Sequence, residues 1–163
     1  MRAMVIYDSV FGNTEKVAKI IGETLGTSDE VTVLRVTNVN PKQLTDLDLL
    51  IVGSPTRAFK ATPAINAFLA KIPSGALNDI HVAAFDTRMS IKDVKSSILT
   101  FFAKIFGFAA EPIAAKLRKK QGLQIVPPEG FIVIGSEGPL REGEQERATR
   151  WADQIKKLYD NSH

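Results

Sequence analysis

Two hydrophobic periods alternate along this chain from its first residues. Residues 3–8, AMVIYD, form a short, largely apolar run of the kind that fills a buried strand. From Thr14 the apolar positions change to Val17, Ile20, Ile21 and Leu25, the spacing of one helix face, and Gly26 supplies a stop. Residues 30–39 return to strand character through Val31, Val33 and Val36, and Pro41-Lys42-Gln43-Leu44 leaves room for one short helical turn. Residues 48–56, DLLIVGSPT, are apolar until they end in small residues, which predicts a central strand covered on both faces. Pro63 opens a helix whose inner side is Ile65, Phe68, Leu69 and Ile72, and residues 80–87, IHVAAFDT, predict the fourth strand.

Residues 90–122 form the longest helical stretch, with a break expected at Gly107 or Pro112. LQIV and FIVIGS then make a fifth strand in two pieces, parted by Pro127-Pro128-Glu129-Gly130. Residues 141–159 close as an amphipathic helix with Ala148, Trp151, Ile155 and Leu158 on one side. Strands alternating with helices predict an α/β fold, a doubly wound five-stranded parallel sheet covered on both faces. No repeat, low-complexity tract or linker interrupts residues 1–163, so a single domain is expected. Ligands of such sheets bind beyond the carboxyl ends of the strands, where strand order reverses. That directs attention to the loops after strands one, three and four.

Composition narrows the chemistry. The chain has no cysteine, which excludes disulfides, thiolate metal sites, iron–sulfur clusters and cysteine nucleophiles, and fits a reducing cytoplasm. Met1-Arg2 leads almost directly into a strand, so no signal peptide is expected. The net charge is only +3, and the clusters Arg118-Lys119-Lys120 and Arg57/Lys60 are short and do not extend into the basic, aromatic-interleaved face of a nucleic-acid binder. No nucleic-acid partner is expected.

The first loop, Ser9-Val10-Phe11-Gly12-Asn13-Thr14, has the makings of an anion site. Backbone N–H groups converge at the start of a helix, the dipole adds partial positive charge, and Ser9, Asn13 and Thr14 carry further donors. The same residues are equally consistent with Asn13 or Thr14 capping the helix. The loop has neither the Gly-Lys-Ser/Thr ending of a P-loop nor the second and third glycines of a dinucleotide fingerprint. With no lysine inside it, the loop favours a monophosphate among neutral donors.

VIYDSVFGNTEKVA, residues 5–18, resembles the flavodoxin signature position by position, and GSPTR, residues 53–57, is similar to the loop after the third strand in flavodoxin-like quinone reductases and flavodiiron proteins. The resemblance implies a flavodoxin-like sheet of strand order 2-1-3-4-5. It implies a non-covalent FMN with its phosphate on Ser9 to Thr14. The flavin ring would lie between Ser54, Pro55, Thr56, Arg57, Ala58 and Phe59 on one side and Asp86, Thr87, Arg88 and Met89 on the other. The tryptophan and tyrosine that many flavodoxins place there are missing. Phe59 either covers a ring face or begins the core of the next helix; Arg88 or Met89 covers the other face. Trp151, on the terminal helix, reads as core. A cation at Arg57 or Arg88 would raise the potential of the reduced flavin, and the lack of glycine after Pro55 would hinder a peptide flip.

Other chemistries of the same fold class fit poorly. A phosphoreceiver needs an acidic pair after strand one and an aspartate after strand three, where this chain has Asp8 alone and Gly53-Ser54. Of the two histidines, His81 falls at the wrong edge of the sheet for a hydrolase triad and His163 is terminal. No metal site is expected, and residues 98–110 are too short, and interrupted by Lys104, to span a membrane. Phe101, Phe102, Phe106 and Phe108 cannot all face the sheet. They predict either core with a lid over residues 112–122, or a surface for a second copy, a partner or a quinone. The expected protein is thus a cytoplasmic FMN-binding electron carrier working with redox partner proteins, with homodimerisation possible. The alternatives are an FMN-dependent NAD(P)H:quinone or small-molecule reductase, or a flavin-free interaction domain.

Overall fold

The computed structural model describes residues 1–93 and 95–162; His163 lies outside the described residues. Six strands, β1 (Ala3–Tyr7), β2 (Val31–Arg35), β3 (Leu49–Pro55), β4 (His81–Met89), β5 (Leu123–Gln124) and β6 (Glu129–Val133), form one sheet. The helices are α1 (Asn13–Leu25), α2 (Pro63–Lys71), α3 (Ser97–Phe106), α4 (Ala110–Lys119) and α5 (Glu144–Asn161). Every strand pair is parallel, in the order β2-β1-β3-β4-β5, with β6 also on β4. The fifth sheet position is built in two pieces, as the proline pair predicts. β5 pairs with His81 and Val82 at the start of β4, and β6 with residues 85–89 at its end.

Alternation along the central strands divides the core into two layers. Val5, Ile51 and Phe85 pack with Val17 and Ile21 of α1 and with Trp151 and Ile155 of α5. Ile6, Leu50 and Val52 pack on the other side with Ile65 and Leu69 of α2 and Ile113 and Leu117 of α4. Trp151 is therefore core, its ring centroid 6.2 Å from that of Phe85. Both faces of β1 and β3 are covered, which explains their unbroken apolar runs.

Several expected boundaries shift. The second strand stops at Arg35, and Val36 instead begins a 3-10 turn, Val36–Asn38, that buries its side chain. Leu158, expected on the buried side of the terminal helix, is 40% exposed. The stretch over residues 90–122 is two helices: Gly107, with φ 68°, ends α3, while Pro112 sits harmlessly in the first turn of α4. α4 covers the sheet, but α3 buries only Ala103, so the Phe-rich segment is not core. Ser97–Lys119 taken as one piece is 23 residues long and apolar enough to cross a membrane. The turn at Gly107 and the packed face of α4 divide it into two helices of 10 residues each, half the length a span needs.

Candidate functional site

The carboxyl ends of β1, β3, β4 and β6 converge on one cavity, and α1 begins there. Asp8 continues β1 by donating its N–H to the Gly53 carbonyl at 3.1 Å, and its carboxylate accepts the Ser9 N–H at 2.9 Å. The loop then folds on itself, with the Gly12 N–H donating to Ser9 Oγ at 3.0 Å. Gly12 stands at the helix N-cap with φ 90°, a left-handed conformation that favours glycine. No side chain caps α1. Asn13 reaches away to donate Nδ2 to the Glu137 carbonyl at 2.7 Å, and Thr14 Oγ1 lies 2.7 Å from Thr87 Oγ1. The capping alternative is thereby removed, and the first-turn N–H groups of α1 are left for an anion.

Arg35, at the end of β2, braces this loop from outside. Its Nη2 donates to the Ser9 carbonyl, and its Nε lies 3.6 Å from Asp8 Oδ1. The Ser9 carbonyl is thereby held from the β2 side. Ser9 and Thr14 are 6% and 1% exposed, so their hydroxyls are buried in the loop and not dispersed in solvent.

The second wall follows β3. Ser54 is buried and accepts the Thr62 N–H at 3.0 Å, which fixes the turn into α2. Thr56 donates its N–H to the Thr87 carbonyl and accepts the Ala109 N–H on Oγ1, each at 2.9 Å. Arg57 and Lys60 exchange both backbone hydrogen bonds around a two-residue turn, Ala58-Phe59, whose φ values are 44° and 66°. Positive φ at both central positions is the geometry that usually recruits Asn-Gly. Phe59 points to α3, with ring centroids 6.4 Å from Phe102 and 6.2 Å from Phe106. It therefore neither covers the cavity nor begins the core of α2.

The third wall, expected as a loop, is the last part of β4. Thr87, Arg88 and Met89 line the cavity, while the fully buried Asp86 lies behind them and pairs with Arg88. Asp86 accepts Arg88 Nε at 2.6 Å, Arg88 Nη2 at 2.7 Å and the Ala110 N–H at 2.8 Å. Burial pushes the Asp86 carboxyl above the ordinary carboxylate value, and the Arg88 and Ala110 donors only partly oppose that rise. Arg88 also lies over the Phe108 ring, 3.9 Å from its centroid, which fastens the α3–α4 elbow to β4.

These walls enclose about 390 Å³. Of the residues singled out from the sequence, 9–11, Asn13, Thr14, 55–58 and 87–89 line it, whereas Gly12, Ser54, Phe59 and Asp86 do not. Val133 at the end of β6, and Ser136 and Glu137 beyond it, also line the cavity, where the fold rule points. Gly138, with φ 97°, lets that segment press on α1, since a Cβ there would lie 2.4 Å from Asn13 Nδ2. The flavodoxin domain family matches residues 4–124.

The chain belongs to that family. Its fold is shared by flavodoxin 2 from Bacillus cereus, at TM-score 0.74 and 19% identity, over 96% of this chain and 99% of that one. A flavodoxin from the domain Archaea aligns at TM-score 0.70 and 21% identity, over 98% of this chain and 99% of that one. Rubredoxin oxygen:oxidoreductase from Desulfovibrio gigas aligns at TM-score 0.73 and 18% identity, over 98% of this chain and 36% of that longer one. No curated protein matches the chain by sequence.

Within this flavodoxin-like site, the two arginines differ. Arg88 is bound twice by Asp86, so its charge is compensated where it sits. Arg57 is exposed at the mouth, its guanidinium carbon 5.7 Å from the Phe11 ring centroid, which bridges the first and second walls. Among the cavity-lining residues Phe11 is the one aromatic, and Met89 flanks it across the opening.

Proposed function

We infer that the chain binds FMN non-covalently and works as an electron carrier. The observation that carries this reading is the uncapped start of α1, opening onto a cavity bounded by the loops after β1 and β3, the end of β4 and the segment after β6. The donors suit a phosphate monoester: buried hydroxyls at Ser9 and Thr14, backbone N–H groups of the loop and no lysine. Pro55, Thr56, Arg57 and Ala58 on one side, with Thr87, Arg88 and Met89 on the other, would hold a flat ring system.

FMN, when bound, supplies the electron exchange. The chain's own residues bind and bias it. Ser9 to Thr14 orient the phosphate, and Arg57 places a cation at the mouth, which favours the more negative, reduced form of a ligand there. Among the described residues the cavity lining holds no histidine, lysine or aspartate, and Glu137 is its one carboxylate, so the chain offers no pair of groups for acid–base work on a substrate. This favours a carrier over a reductase. We place it in the cytoplasm as one domain that passes electrons to partner proteins.

The test is FMN titration followed by flavin fluorescence and visible absorption. One-to-one binding, lost when Ser9 and Thr14 are both made alanine, is the expected result. No binding at micromolar FMN would overturn the reading in favour of a flavin-free interaction domain. Steady NAD(P)H consumption with a quinone would replace the carrier by a reductase.

A further inference from the structure

We propose that α3 is an interfacial anchor that lays its apolar face into an anionic lipid surface. The helix stands off the body of the protein, with Ala103 its only buried side chain. Ile98, Leu99, Phe101, Phe102, Ile105 and Phe106 are between 39% and 66% exposed. Together they present on the order of 600 Å² of apolar side chain, beyond the few hundred that a monomer usually leaves open.

Their arrangement says what covers them. At 3.6 residues per turn the exposed apolar positions run from Phe101 round to Leu99, roughly 160° of the circumference, with the buried Ala103 beside them and Ser97, Thr100 and Lys104 on the polar side. A helix that packs on one neighbouring helix needs a stripe of about 100°. A wider arc suits a medium that wraps the helix, as the headgroup–acyl boundary does around a helix lying some 5–10 Å deep. Ile98, Phe101 and Ile105, each more than half exposed, are the side chains placed to enter it first.

The charges around it are of one sign. No acidic residue occurs between Asp93 and Glu111. Asp93 is paired with Arg141, and Glu111 lies 3.8 Å from Arg88. Lys92, Lys95 and Lys104 surround the helix, and the neighbouring turn adds Arg57 and Lys60, all exposed. A second copy would bring the same cations against these, whereas an anionic bilayer complements them. Phe59 joins α3 to the turn whose Ala58 lines the cavity, so the bound protein would hold its cavity mouth at the lipid surface.

The experiment is co-sedimentation of the full chain with vesicles, without added FMN, so that its outcome is independent of flavin binding. Vesicles of phosphatidylcholine with about one third phosphatidylglycerol at roughly 0.1 M salt are compared with phosphatidylcholine alone. The expected result is binding to the anionic vesicles, at least tenfold weaker for the triple variant Ile98→Ser, Phe101→Ser, Ile105→Ser and unchanged for Leu158→Ser, an exposed leucine elsewhere. A single Phe101→Trp variant, which keeps the face apolar, should shift its emission to the blue on vesicle addition, against a constant signal from the core Trp151. Three results would each overturn the proposal: wild-type chain left in the supernatant, a triple variant that binds as well as wild type, or Phe101→Trp emission unmoved by vesicles. Self-association in sedimentation velocity that the triple variant abolishes, with no vesicle binding, would assign the face to a second copy instead.

Discussion

Thr14 Oγ1 lies 2.7 Å from Thr87 Oγ1, so a single hydroxyl contact ties the first turn of α1 to the end of β4. Both side chains are buried, and the contact sets where the Thr14 oxygen presents itself to the loop. Thr87→Val, which keeps shape and removes the partner, should weaken FMN binding by roughly tenfold, the worth of one buried hydrogen bond. Thr87→Ser should restore it. Equal FMN affinity for wild type and Thr87→Val in a fluorescence titration would reduce the pair to a packing detail.

Arg35 acts on the same loop from the far side through the Ser9 carbonyl and Asp8. Its side chain is 41% exposed, so solvent screens much of the ionic contribution. Arg35→Met should therefore cost only about 1 kcal/mol in urea unfolding, while FMN affinity falls severalfold because the loop's N–H groups lose their fixed aim. A variant that loses stability but keeps full affinity would show that the loop holds its shape unaided.

Ala58 and Phe59 occupy left-handed backbone conformations at φ 44° and 66°. Each stores strain of about 1 kcal/mol or more that glycine would not feel. Ala58→Gly should raise the unfolding midpoint, by about 0.5–1 kcal/mol after the entropy of the unfolded glycine is subtracted. Ala58→Val should lower it. The reverse order in thermal melts would mean that the turn is relaxed as it stands.

Asp86 gives the fold a pH dependence. Its carboxyl is raised by burial, with Arg88 and the Ala110 N–H partly opposing, so the folded chain keeps that proton to higher pH than the unfolded chain does. Stability from this group is therefore present at and below the ordinary carboxylate value, and is lost as pH rises through the raised folded value. Asp86→Asn removes the titration and keeps an oxygen acceptor. The stability of wild type minus that of Asp86→Asn should decline from acid toward neutral pH in urea titrations; a difference that grows with pH would refute this.

The first loop was legible because the hydrophobic period changes from two to 3.6 across it, and such a switch with small polar residues between has few structural meanings. The alternation of strands with helices pointed to a parallel sheet and Pro127-Pro128 to a split fifth strand, while the strand order came from the resemblance to flavodoxins. The cavity's other walls were less legible, for reasons that lie in three dimensions. Phe59 takes its direction from the left-handed turn, which Ala-Phe does not advertise. Asp86 and Arg88 are two apart on a strand, so they share a face, but the Ala110 N–H that completes their site comes from a helix start 24 residues on. Leu158 fits the helical period, yet it is 40% exposed in the last turns of α5, which the period alone does not reveal. Glu137 meets Asn13 across 124 residues, and only the fold rule for strand ends could have pointed there.

The end of β4 has a kinetic meaning as well. Ser54 and Pro55 pair with Asp86 and Thr87 on one side, and residues 129–133 pair with residues 85–89 on the other. The peptide groups of this wall are thus committed to two ladders and are not at liberty to swing when the charge beside them changes. Electron exchange is slowed by whatever must rearrange around the new charge, and under the proposed carrier function that burden would fall on the water and side chains at the open mouth. The speed of this site would then be governed by how well Arg57, Phe11 and Met89 keep water back, with the sheet itself acting as a fixed dielectric support.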